Sequence, residues 1–405
     1  MPDLGKIVVR IPPSPTGNLH IGTARTALFN YLFTKKHGGK VILRSEDTDT
    51  ERSKKEFEEN ILEALEWLGI KYDGELVRQS ERGEVYKKRL KTMLDNGSAY
   101  VSKEEPKEEG QRAEVIRFKN LNKKIAFDDL VRGQVEFDTT DLKDFVIAKS
   151  ADEPLYHLAV VVDDAEFGVT HVIRGEDHIS NTPRQILIQE ALGFSRPVYA
   201  HIPLILATDR SKLSKRHGAT AVTDYKERGY LPEAMVNYLA LLGWNPGTDQ
   251  EIFSMDELIE QFSLEKIQKG GAIFDEKKLD WVNKEHIKRL PPEVQKEMIF
   301  EKIKNEPYVL VVPDYSPENL IWRKSTKEET LKHLEEASKI IENGGNLMEY
   351  AERVGKGAVL WPVRYALTGA EASPDPFTIL EFLGTEESLK RIKKAIIALK
   401  DEKQE

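Results

Sequence analysis

KIVVRIPPSPTGNLHIGTARTALFNYLF, residues 6–33, decides how the rest of the chain is read. Lys6 to Ile11 is a short β-branched run with the pattern of a buried strand. PPSPTG stops it and makes a loop. From Leu19 the period changes, and Ile21, Ala24, Leu28, Tyr31 and Leu32 recur at helical spacing. A strand therefore ends, a Pro/Gly loop crosses over, and a helix begins at His20. A helix start offers free backbone N–H groups and the positive end of the helix dipole, both suited to a phosphate. Gly17 and Gly22 let a flat or anionic ligand approach the backbone, and His20 adds a side-chain donor. The two best-known phosphate loops, GxxxxGK[ST] and GxGxxG, do not occur in this stretch.

Working outward, GGKVILRSEDTD (38–49) reads as a second strand whose carboxyl end carries Glu46 and Asp47, where open α/β sheets bind ligands. Residues 53–68 form an amphipathic helix with Phe57, Ile61, Leu65 and Leu68 on one face. A further helix within 78–100 is stopped by Asn96-Gly97. Residues 102–114 are charged, without an apolar period, and read as a solvated loop. The β-like runs VIRFK (115–119), GQVEFD (133–138) and DFVIAKS (144–150) follow as an insertion. The sheet resumes within PLYHLAVVVDDAEFGVTHVIRGEDH (154–178), whose strand Val169 to Arg174 ends in Gly-Glu-Asp-His. Helix 181–192 precedes PVYAHIPLILA (197–207), read as one buried strand. A polar loop then places four basic residues in the seven from Arg210 to Arg216. Beyond 220 the pattern is helical, with PYVLVV (307–312) the one later Val-rich strand-like run and a Pro-Pro break at 291–292.

This alternation predicts an α/β fold: a Rossmann-like, doubly wound parallel sheet interrupted by an insertion domain and followed by mainly α-helical regions. The expected boundaries are 1–100 and 154–208 for the two halves of the sheet domain, 101–153 for the insertion, and 209–288 and 289–405 for the helical parts.

Composition narrows the function. The 405 residues contain no cysteine, which excludes disulfides, iron–sulfur clusters and thiolate zinc sites and fits a cytoplasmic protein. No apolar run is long enough for a membrane span. The net charge is −9, and residues 289–405 carry 18 Lys+Arg against 21 Asp+Glu. A nucleic-acid site must then be a local basic patch on an acidic body, with salt-sensitive binding.

PSPTGNLHIGTARTALFNYLF resembles the HIGH-signature region of class I aminoacyl-tRNA synthetases, in the form found in bacterial-type glutamyl-tRNA synthetases. KLSKR (212–216) is similar to that class's KMSKS loop, with Leu213 in place of the usual Met. The resemblance runs from residue 6 to about 288. It resumes at GKGAVLWPVRYALTGAEASPDPFTILEFLG (355–384), similar to the last part of an anticodon-binding region. Residues 289–354 look shorter than in most members. The resemblance implies two-step attachment of L-glutamate to tRNA-Glu, with ATP and Mg2+, no zinc, a monomer and no membrane. It implies stem contacts in 209–288 and anticodon binding in 289–405.

On the same resemblance, His20, Lys212 and Lys215 are the catalytic candidates. Gly17, His20, Gly22, Thr23, Asp177 and Lys215 are candidates for ATP. Arg10, Ser14, Glu46, Tyr156 and Arg174 are candidates for glutamate. Arginine is the natural bidentate partner of a carboxylate, and Glu46 suits the ammonium. Val160 stands where some relatives place an Asn. The competing readings are a paralogue that transfers glutamate to a modified tRNA base, which lacks an anticodon region, and a non-enzymatic tRNA-binding protein, which needs neither His20 nor Lys215.

Overall fold

A computed structural model describes residues 6–49, 51–104, 114–214, 216 and 220–401. The chain divides into two compact units, Met1–Ile287 and Lys288–Glu405.

In the first unit, β1 (Val8–Ile11), α1 (Ile21–Lys36) and β2 (Lys40–Ser45) form a parallel crossover, with Val8 opposite Lys40 and Ile11 opposite Leu43. Gly38 and Gly39 make the return turn. Gly38 has φ +62°, and a Cβ on Gly39 would come within 2.4 Å of the Ile7 carbonyl oxygen. After α2 (Lys55–Trp67), β3 (Val77–Arg78) extends the sheet in parallel to β2. α3 (Gly83–Asp95) follows.

The insertion is richer in strands than its sequence suggests. β4 (Ala99–Lys103), β5 (Glu114–Phe118), β8 (Phe145–Ser150) and β9 (Glu153–Pro154) form an antiparallel sheet. Between them, β6 (Lys124–Asp129) and β7 (Gly133–Asp138) make a hairpin. Most of the charged loop read at 102–114, residues 105–113, lies outside the described residues.

Tyr156–Glu166 is a helix, α4, although Val160, Val161 and Val162 favour a strand. All three are buried, so packing overrides propensity. β10 (His171–Gly175), α5 (Thr182–Leu192) and β11 (Val198–Ile202) complete a second parallel crossover, with His171 opposite Val198. The run 197–207 is two strands, not one: Pro203 and Leu204 separate β11 from β12 (Ile205–Leu206).

The halves meet at β1 and β10. The Thr170 amide donates to the Val8 carbonyl at 2.9 Å, and the Val8 amide donates to Thr170 Oγ1 at 2.9 Å. Chain order therefore reverses between β1 and β10, and the crevice outside their carboxyl ends is where open α/β sheets bind ligands. β11 also pairs with β6 through Tyr199 and Asp129, which docks the insertion hairpin on the parallel sheet.

α1 is buried almost all round. Leu28, Phe29 and Leu32 are inaccessible, each contributing about 1.5–3 kcal/mol. It packs against the sheet and against α7 (Pro232–Leu241) and α8 (Met255–Gln261), which follow the short α6 (Val222–Glu227). β13 (Ala272–Ile273) pairs with β12 before α9 (Glu276–Ile287).

The second unit is helical among its described residues. It comprises α10 (Pro292–Ile303), α11 (Pro307–Leu310), α12 (Lys327–Glu342), α13 (Leu347–Val354), α14 (Lys356–Thr368) and α15 (Pro376–Asp401). The run PYVLVV is thus not a strand. Pro307 starts a short helix, and Leu310 and Val311 are exposed, so no sheet buries them. α15 bends at Gly384, whose φ of 76° interrupts the helix.

Candidate active site

β1 delivers Arg10 and Ile11 to the crevice, and the Pro/Gly loop leads to His20 at the N-cap of α1. The first amides of this helix are less free than the sequence suggests. Gly22 N–H donates to His20 Nδ1 at 3.0 Å, and Ile21 N–H donates to the Thr220 carbonyl at 2.9 Å. In the neutral ring, His20 then carries its proton on Nε2. The Val222 amide also donates to the Leu19 carbonyl, so the loop carrying KLSKR is fastened at its far end to the start of α1. Its near end is held by the Leu213 amide on the Ile205 carbonyl, at 3.0 Å.

Between these anchors lies a cavity of about 380 Å³. It brings together His20, Gly22, Thr23, Arg174, Asp177 and Lys212. Lys212 Nζ donates to Asp177 Oδ2 at 2.7 Å, so the lysine is paired with a carboxylate on the cavity wall. Gly175, at the end of β10, leaves space for the Asp177 carboxylate: a Cβ would stand 2.5 Å from its Oδ1 and displace it. Gly17 is not on this wall, and a Cβ there would meet nothing within 4 Å. Lys215 lies outside the described residues.

Behind the cavity is a buried charge cluster. Asp164 Oδ1 accepts from Arg10 Nε at 3.3 Å and from Arg44 Nη1 at 2.7 Å. Arg44 Nη2 donates to Glu46 Oε1 at 3.0 Å, and Arg82 Nε to Asp163 Oδ1 at 2.7 Å. Ser14 Oγ donates to the Glu46 carbonyl rather than its carboxylate. Burial disfavours the charge on Asp164, but Arg44 and Arg10 hold its carboxyl below the usual range. Burial wins at Glu46 and raises its carboxyl despite Arg44 and Arg10. Arg174 differs from its neighbours. Its three nitrogens meet neutral groups: His201 Nε2 at 3.1 Å, Gln185 Oε1 at 2.8 Å and Thr182 Oγ1 at 2.8 Å. Burial lowers its guanidinium's affinity for its proton. Arg10 Nη1 is also buried and finds no partner among the described residues.

Tyr156 Oη lies 3.1 Å from His178 Nδ1, which also takes a contact from Asn181 Nδ2. Burial raises the Tyr156 hydroxyl to about 12, helped by Glu46, and lowers His178 to about 4, helped by Arg174. Arg44, Asp164 and His178 carry no short-range motif. The signal available for Asp164 was its place just before the strand ending in Arg174.

Residues 6–114 and 102–281 match the family described as tRNA synthetases class I (E and Q), catalytic domain, and residues 277–396 match the anticodon binding domain. Over 95% of this chain and 98% of the relative, 41% of residues are identical to the glutamate–tRNA ligase of Carboxydothermus hydrogenoformans. The chain belongs to the glutamate–tRNA ligase family.

Another member of the glutamate–tRNA ligase family, from Thermodesulfovibrio yellowstonii, is 40% identical over 96% of this chain and 99% of its own length. The crystal structure of a glutamate tRNA ligase from Elizabethkingia meningosepticum in complex with its amino acid superposes with a TM-score of 0.81 at 32% identity, covering 98% of this chain and all of that one. The alignment with the first relative spans 472 positions against 405 residues here, so this chain is a compact member of the family lacking segments that its relative carries.

Proposed function

We propose that this chain attaches L-glutamate to the 3′ end of tRNA-Glu in two steps at the β1/β10 crevice. First, a glutamate α-carboxylate oxygen attacks the α-phosphorus of ATP. The new O–P bond forms as the bond to the β-phosphate oxygen breaks, and diphosphate leaves. The 3′-terminal ribose hydroxyl then attacks the glutamyl carbonyl and AMP departs. The carboxylate is already a nucleophile, so the protein's task is positioning and stabilisation of phosphate charge.

The observation that carries this reading is the imbalance of the buried cluster. Arg10, Arg44, Arg82 and Arg174 face Glu46, Asp163 and Asp164, and among the described residues Arg174 has no carboxylate within ion-pair distance. The cluster is one cation in excess, and glutamate is one anion in excess. Arg174, bonded but not neutralised, and Nη1 of Arg10, whose buried N–H without an acceptor costs about 1–3 kcal/mol, take the substrate carboxylates. Glu46 takes the ammonium, whose charge offsets the burial that raises its carboxyl. Tyr156 and Ser14 lend hydrogen bonds.

His20, Gly22 and Thr23 border the ATP phosphates. Lys212 leaves Asp177 for the departing diphosphate, joined by Lys215. Among the described residues no group of three or more His, Asp or Glu could hold a metal ion. A magnesium ion bound with the nucleotide would offset phosphate charge, and Asp177 is the cavity carboxylate that would help to hold it.

Residues 101–153 serve the acceptor end, 209–288 the stem and 289–405 the anticodon, in a monomeric cytoplasmic enzyme. The match of 277–396 to an anticodon-binding domain counts against the base-modifying paralogue. The test is ATP–diphosphate exchange with and without tRNA. Glutamate should support exchange in a tRNA-dependent way; support by glutamine or aspartate and not glutamate would reject the reading.

A further inference from the structure

We propose that Asp129 and His201, which touch neither ATP nor glutamate in the reading above, position Arg174 by fixing the tautomer of an imidazole. The inference rests on that reading of Arg174 as a carboxylate partner. Arg174 Nε–H can only donate, and it points at His201 Nε2 at 3.1 Å. That nitrogen must therefore carry a lone pair, and the ring's proton must sit on Nδ1. Asp129 Oδ2 stands 2.6 Å from Nδ1 and accepts that proton's hydrogen bond. All three side chains are buried, with His201 and Asp129 at 0% and 3% exposure.

The two oxygens of Asp129 have separate duties. Oδ1 accepts from the Val131 amide at 3.0 Å, the Arg132 amide at 2.8 Å and the His201 amide at 3.2 Å. These bonds hold the β6–β7 turn to β11. Oδ2 faces the imidazole and shares the His201 amide with Oδ1, at 3.1 Å. The aspartate belongs to the insertion, while His201 and Arg174 belong to the parallel sheet. The insertion thus reaches the amino-acid pocket through one carboxylate and one ring.

This division of labour makes Asp129→Asn informative. The amide oxygen keeps the backbone bonds at Oδ1, and the NH₂ group falls where Oδ2 was. It then donates to Nδ1, forces the proton to Nε2 and sets N–H against N–H at Arg174. His201→Leu removes the acceptor at similar volume. His201→Gln can place Oε1 where Nε2 was and accept from Arg174 again.

Exchange kinetics of the full chain should show glutamate KM raised about 10–100-fold in Asp129→Asn and His201→Leu, as for other residues that orient a ligand's partner. ATP KM should stay within roughly twofold of the parent, and His201→Gln should recover most of the loss. If His201→Leu does not fold, Asp129→Asn and His201→Gln decide alone. A glutamine variant no better than leucine, or equal rises in both KM values, overturns the inference. Arg174→Gln serves as the reference: an unchanged glutamate KM there overturns the reading of the pocket itself. A raised one beside a normal Asp129→Asn overturns only the positioning role.

Discussion

Arg391 in the helical unit and Arg174 in the parallel-sheet unit are both buried arginines, at 2% and 5% exposure, with opposite surroundings. Arg391 is satisfied by its own unit. Nη1 donates to the carbonyls of Tyr308 and Leu367, and Nε donates to Glu387 Oε1 at 2.8 Å, one turn away on the same helix. It ties α11, α14 and α15 together and has charge to spare for nothing else. Arg174 is surrounded by neutral acceptors and by Arg10 and Tyr156, with no ion-paired acid among the described residues. A buried cation paired and capped with carbonyls is a structural tie. A buried cation that is solvated but not neutralised is held in readiness for an anion.

The largest expected consequence of this difference is in acid stability. Burial lowers His157, His171 and His178 to about 4, with nearby cations adding to the effect: Arg184 and Arg174 at His157, His37 at His171 and Arg174 at His178. In the unfolded chain each has a pKa near 6.5. As pH falls through 6.5 the unfolded state takes up these protons, and the folded state does not until about 4. Stability is therefore lost between pH 6.5 and 4, by up to about 2 kcal/mol per histidine at pH 5. Hydrogen exchange at pH 7 and pH 5 should show protection falling first in residues 6–287. Earlier loss in the helical unit would break the comparison.

Next in size is the clamp itself. Arg174→Gln and Arg10→Gln each strip a carboxylate of its partner, a loss of about 2–5 kcal/mol if the pair is desolvated. The loss should appear as a raised glutamate requirement in exchange assays, with ATP affinity kept. A fall in ATP affinity with glutamate affinity intact would move Arg174 to the nucleotide.

How much of this contrast was legible in the sequence follows from the range of each interaction. Arg10, Glu46 and Arg174 could be singled out because each sits at the carboxyl end of a β-branched run, a local pattern with a fixed meaning in an open sheet. His20 was marked by the change of period that follows the loop. Asp164 on Arg44 closes a contact 120 residues long, and Asp129 on His201 one of 72. No local pattern encodes either. The helix Tyr156–Glu166 was hidden because three consecutive valines favour a strand unless packing on both sides decides otherwise. The free helix start was overestimated for a similar reason, since Thr220 reaches it from 199 residues downstream of Ile21.

A third test asks whether the loop between the two anchors is chemical or only solvated. Lys215→Ala should slow adenylation about 10²–10³-fold, as for other losses of one preorganised charge contact. The melting temperature should not move, because loop lysines bury little surface. Near-normal exchange would return Lys215 to a solvated turn and leave Lys212 as the lysine on the cavity wall.

The smallest effect on glutamate activation should come from the satisfied arginine, and it sharpens the comparison most directly. Arg391→Met keeps the length and apolar stem of the side chain but leaves the carbonyls of Tyr308 and Leu367 without their donor. Each unpaired buried acceptor costs about 1–3 kcal/mol. The Glu387 pair adds little, because that carboxylate is 30% exposed and water replaces its partner. The helical unit should therefore unfold at lower denaturant, with α11 and the second half of α15 losing hydrogen-exchange protection first. Glutamate-dependent exchange measured at saturating tRNA should be unchanged, since every residue assigned to ATP and glutamate lies before residue 288. A fall in that activity at a concentration of denaturant where the variant is still folded would mean that Arg391 contributes more than a tie within its own unit, and the distinction between paired and unpaired buried arginines would no longer separate structure from function in this chain.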